Sequence, residues 1–354
     1  MTISNLDKIF HPSSIVLIGA SDEINTVGKT VTNNLLQAGF LGKFWFVNPN
    51  HSIIAGQKCW SNVKDLPIIP DLAIIATPPK TIPLLIDELA QKGIKAAVII
   101  SAGIDTNMQK SILAIAKPYC FRIIGPNCFG LMVPPLGLNA SFSHLNPLNG
   151  ELAFISQSGA IIGAMIGWSI NRKIGFSHIV SLGNMMDIDV GDILDYLVMD
   201  PQTKVIILYL EHITHPRKFM SAARAAAQIK PIVVIKSGRH TEGARAAASH
   251  TGALSGADIV YDSVFRRVGI IRVTDLEELF DAAEILSRSR PLSCEHLTIL
   301  TNGGGAGVLA VDRLIDYGGK LACLGSKTIQ KLNTYLPSNW SRTNPIDIIG
   351  DANP

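Results

Sequence analysis

Short apolar runs alternate with segments of helical spacing along most of this chain, and this alternation restricts its fold more than any other feature. In the first third, apolar runs occupy residues 14–18, 44–47, 72–76 and 96–100, with helical spacing over 30–36 and 82–91. Strands that alternate with helices form βαβ units, whose strands run parallel. Because the runs are apolar throughout rather than alternately polar, helices should cover both faces of the sheet. The sequence therefore predicts an open α/β fold.

Two interruptions of this rhythm predict the domain organisation. A polar, turn-rich stretch over 134–150 precedes new strands predicted at 151–155, 178–181, 205–210 and 232–236, with helices between them, the first over about 161–171. A second break over 287–294 precedes a predicted strand at 296–300, a loop at 303–307 and a helix at 308–317. We predict domains at 1–137, 151–288 and 295–354. Because a doubly wound domain needs about 100 residues, we expect the last one to be incomplete and the natural protein to be longer.

Composition and charge exclude several classes of protein. Apolar residues make up 47% of the 354 positions and charged residues 17%, which is typical of a folded, well-buried chain. The net charge of +3 comes without a long basic run, so we expect no nucleic-acid partner. None of the apolar runs approaches the roughly 20 residues that span a bilayer. The N-terminus lacks the order of a signal peptide, and the five scattered cysteines form no C-x-x-C pair. We expect a cytoplasmic protein without a metal site.

The first predicted strand ends in a glycine turn that is typical of phosphate-binding sites. Gly19, Ala20 and Ser21 follow the strand, and Gly28 lies just before the next helix. Such a turn lets a phosphate approach backbone N–H groups at the positive end of the helix. The sequence lacks G-x-G-x-x-G, however, and the second strand ends in Asn48-Pro49 where an NAD site needs an acid. NAD is therefore the weaker hypothesis, and a tight turn without any ligand fits the residues equally well.

Three further motifs follow apolar strands of the first domain. They are Thr77-Pro78, Ser101 with Gly103, and Asn127 after a Gly-Pro pair. In an open parallel sheet the carboxyl ends of the strands share one edge, where ligands bind. Each motif is weak by itself, but together they predict a crevice at that edge.

The second domain carries a candidate anion site. Ser156, Ser158 and Gly159 come between a predicted strand and an apolar helix. One of the two serines would cap the helix, and the N–H groups beyond it would hold an anion. The alternative is an ordinary helix cap without a ligand.

A histidine between small residues is the strongest candidate for chemistry. His250 lies between Ser249 and Thr251-Gly252, so its ring nitrogens have the room that covalent chemistry on imidazole requires. Glu211 ends an apolar strand and would reach the same sheet edge, where a carboxylate could orient the ring. From spacing alone, a surface histidine and an exposed glutamate at a strand end remain open alternatives.

Taken in order, these motifs resemble those of the NDP-forming acyl-CoA synthetases, which include ADP-forming acetate–CoA ligases and the α-type subunit of succinyl-CoA synthetase. The resemblance rests on the Gly19 turn with Gly28, on Asn48-Pro49, on residues 125–127, on residues 155–159 and on residues 249–252. It implies a Rossmann-like CoA-binding domain followed by flavodoxin-like doubly wound ligase domains, the last one truncated.

The resemblance also implies a reaction and its participants. An acyl-CoA and phosphate give an acyl phosphate, which phosphorylates His250, with Glu211 as the partner of the histidine. ADP or ATP with Mg²⁺ would bind an ATP-grasp domain or subunit that these residues lack, and the assembly is expected to be an oligomer. The implied phosphate contacts are Ser156, Ser158, Gly159, Thr251 and Gly252. The implied contacts to CoA or acyl-CoA are Gly19, Ala20, Ser21, Gly28, Asn48, Pro49, Thr77, Pro78, Ser101, Gly103 and Asn127.

A narrower similarity raises an alternative function. Residues 138–142, 187–190, 221–224 and 230–239 look like those of large bacterial proteins that join a synthetase-like region to a C-terminal GNAT domain and acetylate lysines. In several of those proteins the histidine is lost and the region is thought to sense a ligand. The alternative is thus a non-catalytic acyl-CoA sensor for a GNAT domain, although the presence of His250 keeps ligase chemistry open.

Overall fold

The computed structural model describes residues 3–240, 242–243, 257–289 and 294–350. The chain divides into two compact units, Met1–Ser289 and Arg290–Pro354. The first unit contains two seven-stranded sheets, and the second contains two short strand pairs.

The first sheet has the strand order of a Rossmann fold. Its strands are β1 (Ser14–Ile18), β2 (Lys43–Val47), β3 (Ile53–Ile54), β4 (Gln57–Trp60), β5 (Leu72–Ile75), β6 (Ala96–Ile99) and β7 (Arg122–Ile124). They lie in the order β3-β4-β2-β1-β5-β6-β7, and all pairs are parallel except β3 with β4. Without the short β3, this is the doubly wound strand order. The chain first adds strands on one side of β1 and then, from β5 onwards, on its other side. The predicted parallel sheet is confirmed.

The helices that cover this sheet have identifiable start and stop signals. They are α1 (Asp7–Phe10), α2 (Val27–Gln37), α3 (Ile82–Lys92) and α4 (Thr106–Ala116). The hydroxyl of Thr26 accepts a hydrogen bond from the Lys29 N–H and caps α2, and Asp105 caps α4 in the same way. At Gly93, which ends α3, φ is +100°, a conformation that glycine adopts readily. The two predicted helices are therefore present and slightly longer than their sequence patterns.

The second sheet extends a parallel core with an antiparallel edge. Its strands are β8 (Gly130–Val133), β9 (Leu138–Ser141), β10 (Asn149–Ser156), β11 (Phe176–Ser181), β12 (Val205–Leu210), β13 (Ile232–Lys236) and β14 (Ile271–Val273). The order is β14-β13-β12-β10-β11-β8-β9, in which β8 and β9 run antiparallel to their neighbours. The helices of this part are α5 (Gly159–Arg172), α6 (Val190–Leu197), α7 (Pro216–Ala227), α8 (Asp258–Val268) and α9 (Leu276–Arg288).

The stretch over 134–150, expected to be a turn-rich linker, contains strand β9 and the start of β10. Leu138 and Ala140 are buried, and the polar residues Asn139 and Ser141 are buried as well. The Ser141 hydroxyl donates to the Asn139 side chain at 2.6 Å, so these buried polar groups have hydrogen-bond partners. The same polar residues were the reason for predicting an exposed linker. β8 and β9 both belong to the second sheet, and the domain boundary predicted at residue 137 falls in the hairpin between them. This boundary stays a prediction.

The cores of the two sheets are continuous. Ile15 and Val16 of β1 pack on opposite faces of the first sheet, and Ala153 and Phe154 of β10 do so in the second. Ile15 and Ala153 belong to the same buried cluster, which therefore fills the space between the sheets. This shared core explains why residues up to Ser289 form one compact unit.

A network of buried charges also joins the sheets. Arg122 of β7 contacts Asp187 through Nε at 3.0 Å and Asp192 through Nη2 at 3.5 Å. Asp192, on α6, also receives the Lys218 ammonium at 2.9 Å and is only 2% exposed. Asp189, the N-cap of α6, shares that ammonium at 2.9 Å. The Asp192 carboxylate therefore contacts both Arg122 of the first sheet and Lys218 of α7.

Replacement of Asp192 by asparagine should lower the free energy of unfolding by about 2 kcal/mol, because Arg122 and Lys218 each lose one of their two carboxylate partners at a buried position. Denaturant titration of both proteins measures the difference. Asp281→Asn, at an exposed position on α9, is the matched control and should change the free energy of unfolding by less than about 0.5 kcal/mol. Equal effects of the two substitutions would contradict a structural role for the network.

The second unit shows two short parallel strand pairs with helices between them. The strands are β15 (His296–Leu297), β16 (Leu300–Thr301), β17 (Lys320–Leu321) and β18 (Ile346–Asp347), and the helices are α10 (Gly304–Asp316) and α11 (Ser326–Leu332). β15 pairs with β17 and β16 with β18. Two sequence expectations were wrong here. The strand predicted at 296–300 is two separate short strands, and the glycine-rich loop predicted at 303–307 consists of the N-cap residue Gly303 and the first turn of α10.

Within the described ranges, no helix combines the length and the apolar character needed to cross a bilayer.

Candidate active site

The turn after β1 brings three backbone segments into contact without side chains between them. Gly19 has φ of +90°, and a Cβ atom on it would lie 2.4 Å from the carbonyl oxygen of Ala76, at the end of β5. A Cβ atom on Gly28 would lie 2.1 Å from the carbonyl oxygen of Gly19. The N-terminal turn of α2 is therefore packed directly against the end of β1, at the point where the strand order reverses. This is the position where doubly wound sheets bind phosphate groups.

Asn48, at the end of β2, holds this turn in place. Its side-chain amide donates to the Ala20 carbonyl at 2.8 Å, and its side-chain oxygen accepts from the Asn50 N–H at 2.9 Å. Ala20 itself is fully buried, so its contribution is this carbonyl. The residue at the position of the acid in NAD sites is thus an amide engaged with the protein, which argues against NAD.

A cleft of about 630 Å³ opens beside the turn. Most of the residues that the sequence singles out for CoA line it: Gly19, Ser21, Gly28, Asn48, Pro49, Thr77 and Pro78. The Thr77 hydroxyl lies 2.9 Å from that of Thr81 at the start of α3. The cleft combines a glycine-rich, amide-bearing end with an apolar wall, as a nucleotide requires.

A second cleft of about 610 Å³ continues from the first, since Val27, Ala76 and Thr77 line both. It reaches the second sheet, where Ser158 and Gly159 form its far end. The two clefts together make one groove, which we call the ligand groove. It runs from the β1 turn to the N-terminus of α5.

Hydrogen bonds join the strand-end motifs that line the middle of the groove. The Ser101 hydroxyl donates to the Thr77 carbonyl at 2.5 Å, and the Asn127 N–H donates to the Ser101 carbonyl at 2.9 Å. The Asn127 side chain reaches Asn184, beyond β11 in the second sheet, at 3.3 Å. Gly103, by contrast, is exposed and lies outside the lining of both clefts in the described part of the chain.

The N-terminus of α5 has the properties of an anion site. Ser158 is the N-cap residue, yet within the described part of the chain its side chain makes no capping hydrogen bond. Ser156 is fully buried, and its hydroxyl accepts from the Ser158 N–H at 3.0 Å and donates to the Ser158 carbonyl at 2.8 Å. Ser156 therefore shapes the turn, while Ser158 faces the groove. The first N–H groups of an α-helix have no acceptor within the helix, so those of α5 can bind a ligand or water.

Gln157 is a site residue that sequence reasoning quoted within a motif but gave no role. Its side-chain oxygen accepts from the Glu211 N–H at 2.5 Å and the His212 N–H at 3.1 Å, and its amide donates to the His212 carbonyl at 2.8 Å. These hydrogen bonds fix the residues after β12 next to the start of α5. Gln157 also lines the groove. Its position between two serines after an apolar strand was the signal that could have identified it.

A buried lysine lies at the same sheet edge as Glu211. Lys236 is 1% exposed, and Glu211 is 8% exposed. The Lys236 ammonium donates to the Ser237 carbonyl and lies 4.6 Å from the ring centre of Tyr261. Burial lowers the pKa of Lys236, and burial together with the Lys236 charge lowers the pKa of His212. The edge thus holds a glutamate, a histidine and a lysine close together.

His250, Thr251 and Gly252 lie outside the described residues. Lys236, which ends β13 before that segment, contacts Tyr261 of α8, which follows it in the chain.

Another cavity of about 630 Å³ lies at the amino ends of β1 and β2, lined in part by His11, Lys43 and Trp45. It is at the edge opposite to the ligand groove, and none of the candidate site residues lines it.

Family models match both parts of the first unit. Residues 13–134 match a CoA binding domain, and residues 149–286 match a succinyl-CoA ligase like flavodoxin domain. The protein is thus a CoA-binding, ligase-type α/β protein with a Rossmann-like domain followed by a flavodoxin-like domain, as predicted.

Individual relatives define the family more narrowly. The chain is 38% identical to the alpha subunit of ADP-forming acetate–CoA ligase I of Pyrococcus furiosus, over 98% of this chain and 77% of that subunit. It is 40% identical to ADP-forming acetate–CoA ligase I of Archaeoglobus fulgidus. The solved acetyl-coenzyme A synthetase 1 of Ca. Korarchaeum cryptofilum, in complex with phosphate and ADP, superposes with a TM-score of 0.93 at 40% identity, over 98% of this chain and 76% of that one. The chain belongs to the ADP-forming acetate–CoA ligase family.

The extent of the match differs between relatives. The chain covers 51% of the Archaeoglobus ligase, with 98% of its own residues aligned, and thus spans about half the length of that relative. A Methanocaldococcus jannaschii ADP-forming acetate–CoA ligase, 41% identical, is covered to 50%. The chain therefore corresponds to the alpha-type portion of these enzymes.

Proposed function

We propose that this chain is the CoA-binding and phosphohistidine-bearing part of an ADP-forming acyl-CoA synthetase that uses acetyl-CoA. The overall reaction is acyl-CoA + ADP + phosphate → acid + ATP + CoA. The observation that carries the proposal is the continuous ligand groove, which joins a glycine turn suited to a nucleotide to a helix N-terminus suited to phosphate. A thioester held along this groove would lie next to the phosphate that attacks it.

The first step needs CoA and phosphate side by side. The CoA nucleotide binds in the first cleft, and its pantetheine arm follows the second cleft past Thr77, Ser101 and Asn127. Phosphate binds at the N-terminus of α5, where it accepts hydrogen bonds from backbone N–H groups and from Ser158. A phosphate oxygen attacks the thioester carbonyl, a new C–O bond forms, and the C–S bond breaks to release CoA thiolate. Donors fixed at the helix N-terminus stabilise the negative charge throughout.

The second step transfers the phosphoryl group to the protein. A ring nitrogen of His250 attacks the phosphorus, the P–O bond of the acyl phosphate breaks, and the carboxylate leaves. Glu211 accepts the N–H of the other ring nitrogen and stabilises the charged ring. Thr251 and Gly252 hold the phosphoryl oxygens. The phosphoryl group then passes to ADP.

The proposed partner is an ATP-grasp domain or subunit that binds ADP with Mg²⁺. It is supported by the relatives from Pyrococcus furiosus, which are named alpha subunits. The relatives reported above bear ligase and synthetase names, which favours the synthetase over the sensor of a GNAT domain. A small acyl group, an oligomeric assembly and a cytoplasmic location belong to the same proposal.

The test is ATP formation by the protein together with its ATP-grasp part. Acetyl-CoA, ADP and phosphate should yield ATP and free CoA in equal amounts, and the reaction should stop when phosphate is left out. With ATP alone, the protein should acquire an acid-labile phosphate. Failure of both measurements would overturn the proposal. Calorimetry with CoA and with NAD provides a separate check, since only CoA should bind.

A further inference from the structure

The cavity at the amino ends of β1 and β2 has the size of a small-molecule site, although the reaction proposed above does not use it. Its volume of about 630 Å³ equals that of the cleft beside the β1 turn. Sites for small molecules usually measure about 300 to 1,000 Å³. We call it the amino-edge cavity, and it is lined by residues 11–14, 40–43, 45, 68 and 136.

Most of the wall of the amino-edge cavity is apolar. Large apolar side chains line it from three parts of the chain: Phe40, Leu41, Trp45, Ile68 and Leu136. Leu41 is 80% exposed, so its side chain is in contact with water unless a ligand covers it. Removal of such surface from water is favourable, and aromatic and aliphatic side chains predominate in small-molecule sites. The wall therefore favours a ligand with an apolar body.

Backbone contacts hold the wall of this cavity in place. The Leu41 N–H donates to the Leu136 carbonyl at 3.1 Å, and the Lys43 N–H donates to the Ser13 carbonyl at 3.0 Å. A Cβ atom on Gly42 would lie 2.5 Å from the Ser13 carbonyl oxygen, which shows how closely the two segments pack. A ligand would thus enter a cavity that is already formed, and little binding free energy would be lost in ordering its walls.

The polar part of the lining suits an anion. None of the described residues that line the cavity is acidic, and the Lys43 ammonium makes no ion pair or hydrogen bond with a described residue. His11 also lines the cavity, and an imidazole ring always carries at least one N–H donor. Asp71 lies close to this lining, because its carboxylate accepts from the Ser13 hydroxyl at 2.6 Å. That carboxylate is already paired with Lys8 at 2.8 Å.

We propose that the amino-edge cavity binds a small carboxylic acid with an apolar body of one or two rings. The carboxylate contacts Lys43 and His11, and the body packs against Phe40 and Trp45. Hydrogen bonds from an ammonium to a carboxylate are short and strong, whereas several charges on one ligand would have to be buried against the apolar wall. The site is independent of the proposed function, because it lies at the opposite edge of the sheet from the ligand groove.

The first measurement is a titration of the whole chain with 2-naphthoate, followed by the NMR signal of the Trp45 indole N–H. Its loss in Trp45→Phe identifies this signal. The signal should shift saturably, with a dissociation constant of about 1 mM or lower. The neutral analogue 2-naphthylmethanol should bind about fivefold more weakly, because it lacks the charge. Absence of a saturable shift up to about 10 mM 2-naphthoate would overturn the proposal.

The second measurement tests which residue recognises the carboxylate. Lys43→Met keeps the aliphatic part of the side chain and should weaken 2-naphthoate binding about fivefold, while the affinity for 2-naphthylmethanol stays within about twofold. Lys110→Met, at an exposed position on α4, is the matched control and should change neither affinity. If Lys43→Met does not fold, Lys43→Gln replaces it. Equal losses for both ligands, or equal effects of the two substitutions, would contradict recognition of the carboxylate by Lys43.

The third measurement repeats the titration with CoA at saturation. The affinity for 2-naphthoate should not change, because the two ligands bind at opposite edges of the sheet. Displacement of 2-naphthoate by CoA would place the acid in the ligand groove and would overturn the proposal. Loss of the ligase reaction would overturn the proposed function but would leave the result of these titrations unchanged.

Discussion

Replacement of His250 by alanine should leave the protein without acid-labile phosphate and should lower the rate of ATP formation by more than about 10³-fold. The proposed reaction splits one difficult transfer into two, and His250 carries the phosphoryl group between them. Alanine has no nucleophile to form that intermediate. The measurement is labelling with γ-³²P-ATP followed by acid and alkaline treatment, since phosphohistidine is lost in acid and kept in base.

Two further variants make this result specific. His240→Ala removes an exposed histidine ten positions earlier and should be labelled like the wild-type protein. Glu211→Gln keeps the shape of the side chain but removes its charge, so the labelling rate should fall about 10²-fold. Labelling of His250→Ala at the wild-type level would remove the catalytic role of this histidine.

Replacement of Gly19 by alanine should weaken CoA binding by at least about 100-fold and lower the free energy of unfolding by about 3 kcal/mol or more. The added Cβ would lie 2.4 Å from the Ala76 carbonyl oxygen and 3.0 Å from the Thr77 side chain. The turn also requires φ of +90°, which alanine disfavours. The end of β1 would have to move away from β5, and the first cleft would change its shape. Calorimetry with CoA and denaturant titration measure the two effects.

Gly39→Ala is the matched control for this variant. Gly39 has φ of +75°, but no heavy atom of the described residues lies within 4 Å of a Cβ placed on it, beyond its chain neighbours. Gly39→Ala therefore introduces backbone strain without a steric clash of the new Cβ atom. It should lower the free energy of unfolding by about 1 to 2 kcal/mol and leave the affinity for CoA unchanged. Equal losses of CoA affinity in both variants would show that the close approach at Gly19 has no special importance.

Sequence alone predicts the parallel strands of both sheets well. The runs predicted at 205–210 and 232–236 match β12 and β13 to the residue. The reason is physical: a central parallel strand is covered on both faces, so almost all of its positions are apolar, and Lys236 at the end of β13 is the exception in these two strands. The edge that parallel strands share follows directly from their direction, so the residues after the strands could be assigned to one edge of each sheet.

Elements that depend on tertiary contacts were harder to predict. Strand β9 contains the polar residues Asn139 and Ser141, so the sequence pattern predicted a turn-rich segment there. In the structure the two side chains are hydrogen-bonded to each other, which allows them to be buried in a strand. The start of α10 contains Gly304 and Gly305, residues with low helix propensity, so that segment also read as a loop. In both cases packing overrides the local preference.

The site shows the same division. Glycine turns and the helix N-terminus were recognisable because their chemistry depends on backbone geometry and small residues at fixed spacing. The separate roles of Ser156 and Ser158 were not, because only the hydrogen-bond pattern shows which hydroxyl is used within the turn. The position of Gln157 between two serines could have marked it as a site residue, but its hydrogen bonds to Glu211 and His212 join parts far apart in the chain, which no local pattern shows. The burial of Lys236 likewise depends on distant residues.

The cluster that Ile15 shares with Ala153 has a consequence for exchanging parts between relatives. A chimaera that takes residues 13–134 from another family member would pack the side chains of that relative against the second-sheet side chains of this protein, in the same buried cluster. Since interiors are close-packed, even single methylene differences at that seam would leave voids or collisions. Transplanting CoA specificity would therefore succeed more readily with a few substitutions along the ligand groove than with replacement of the whole module.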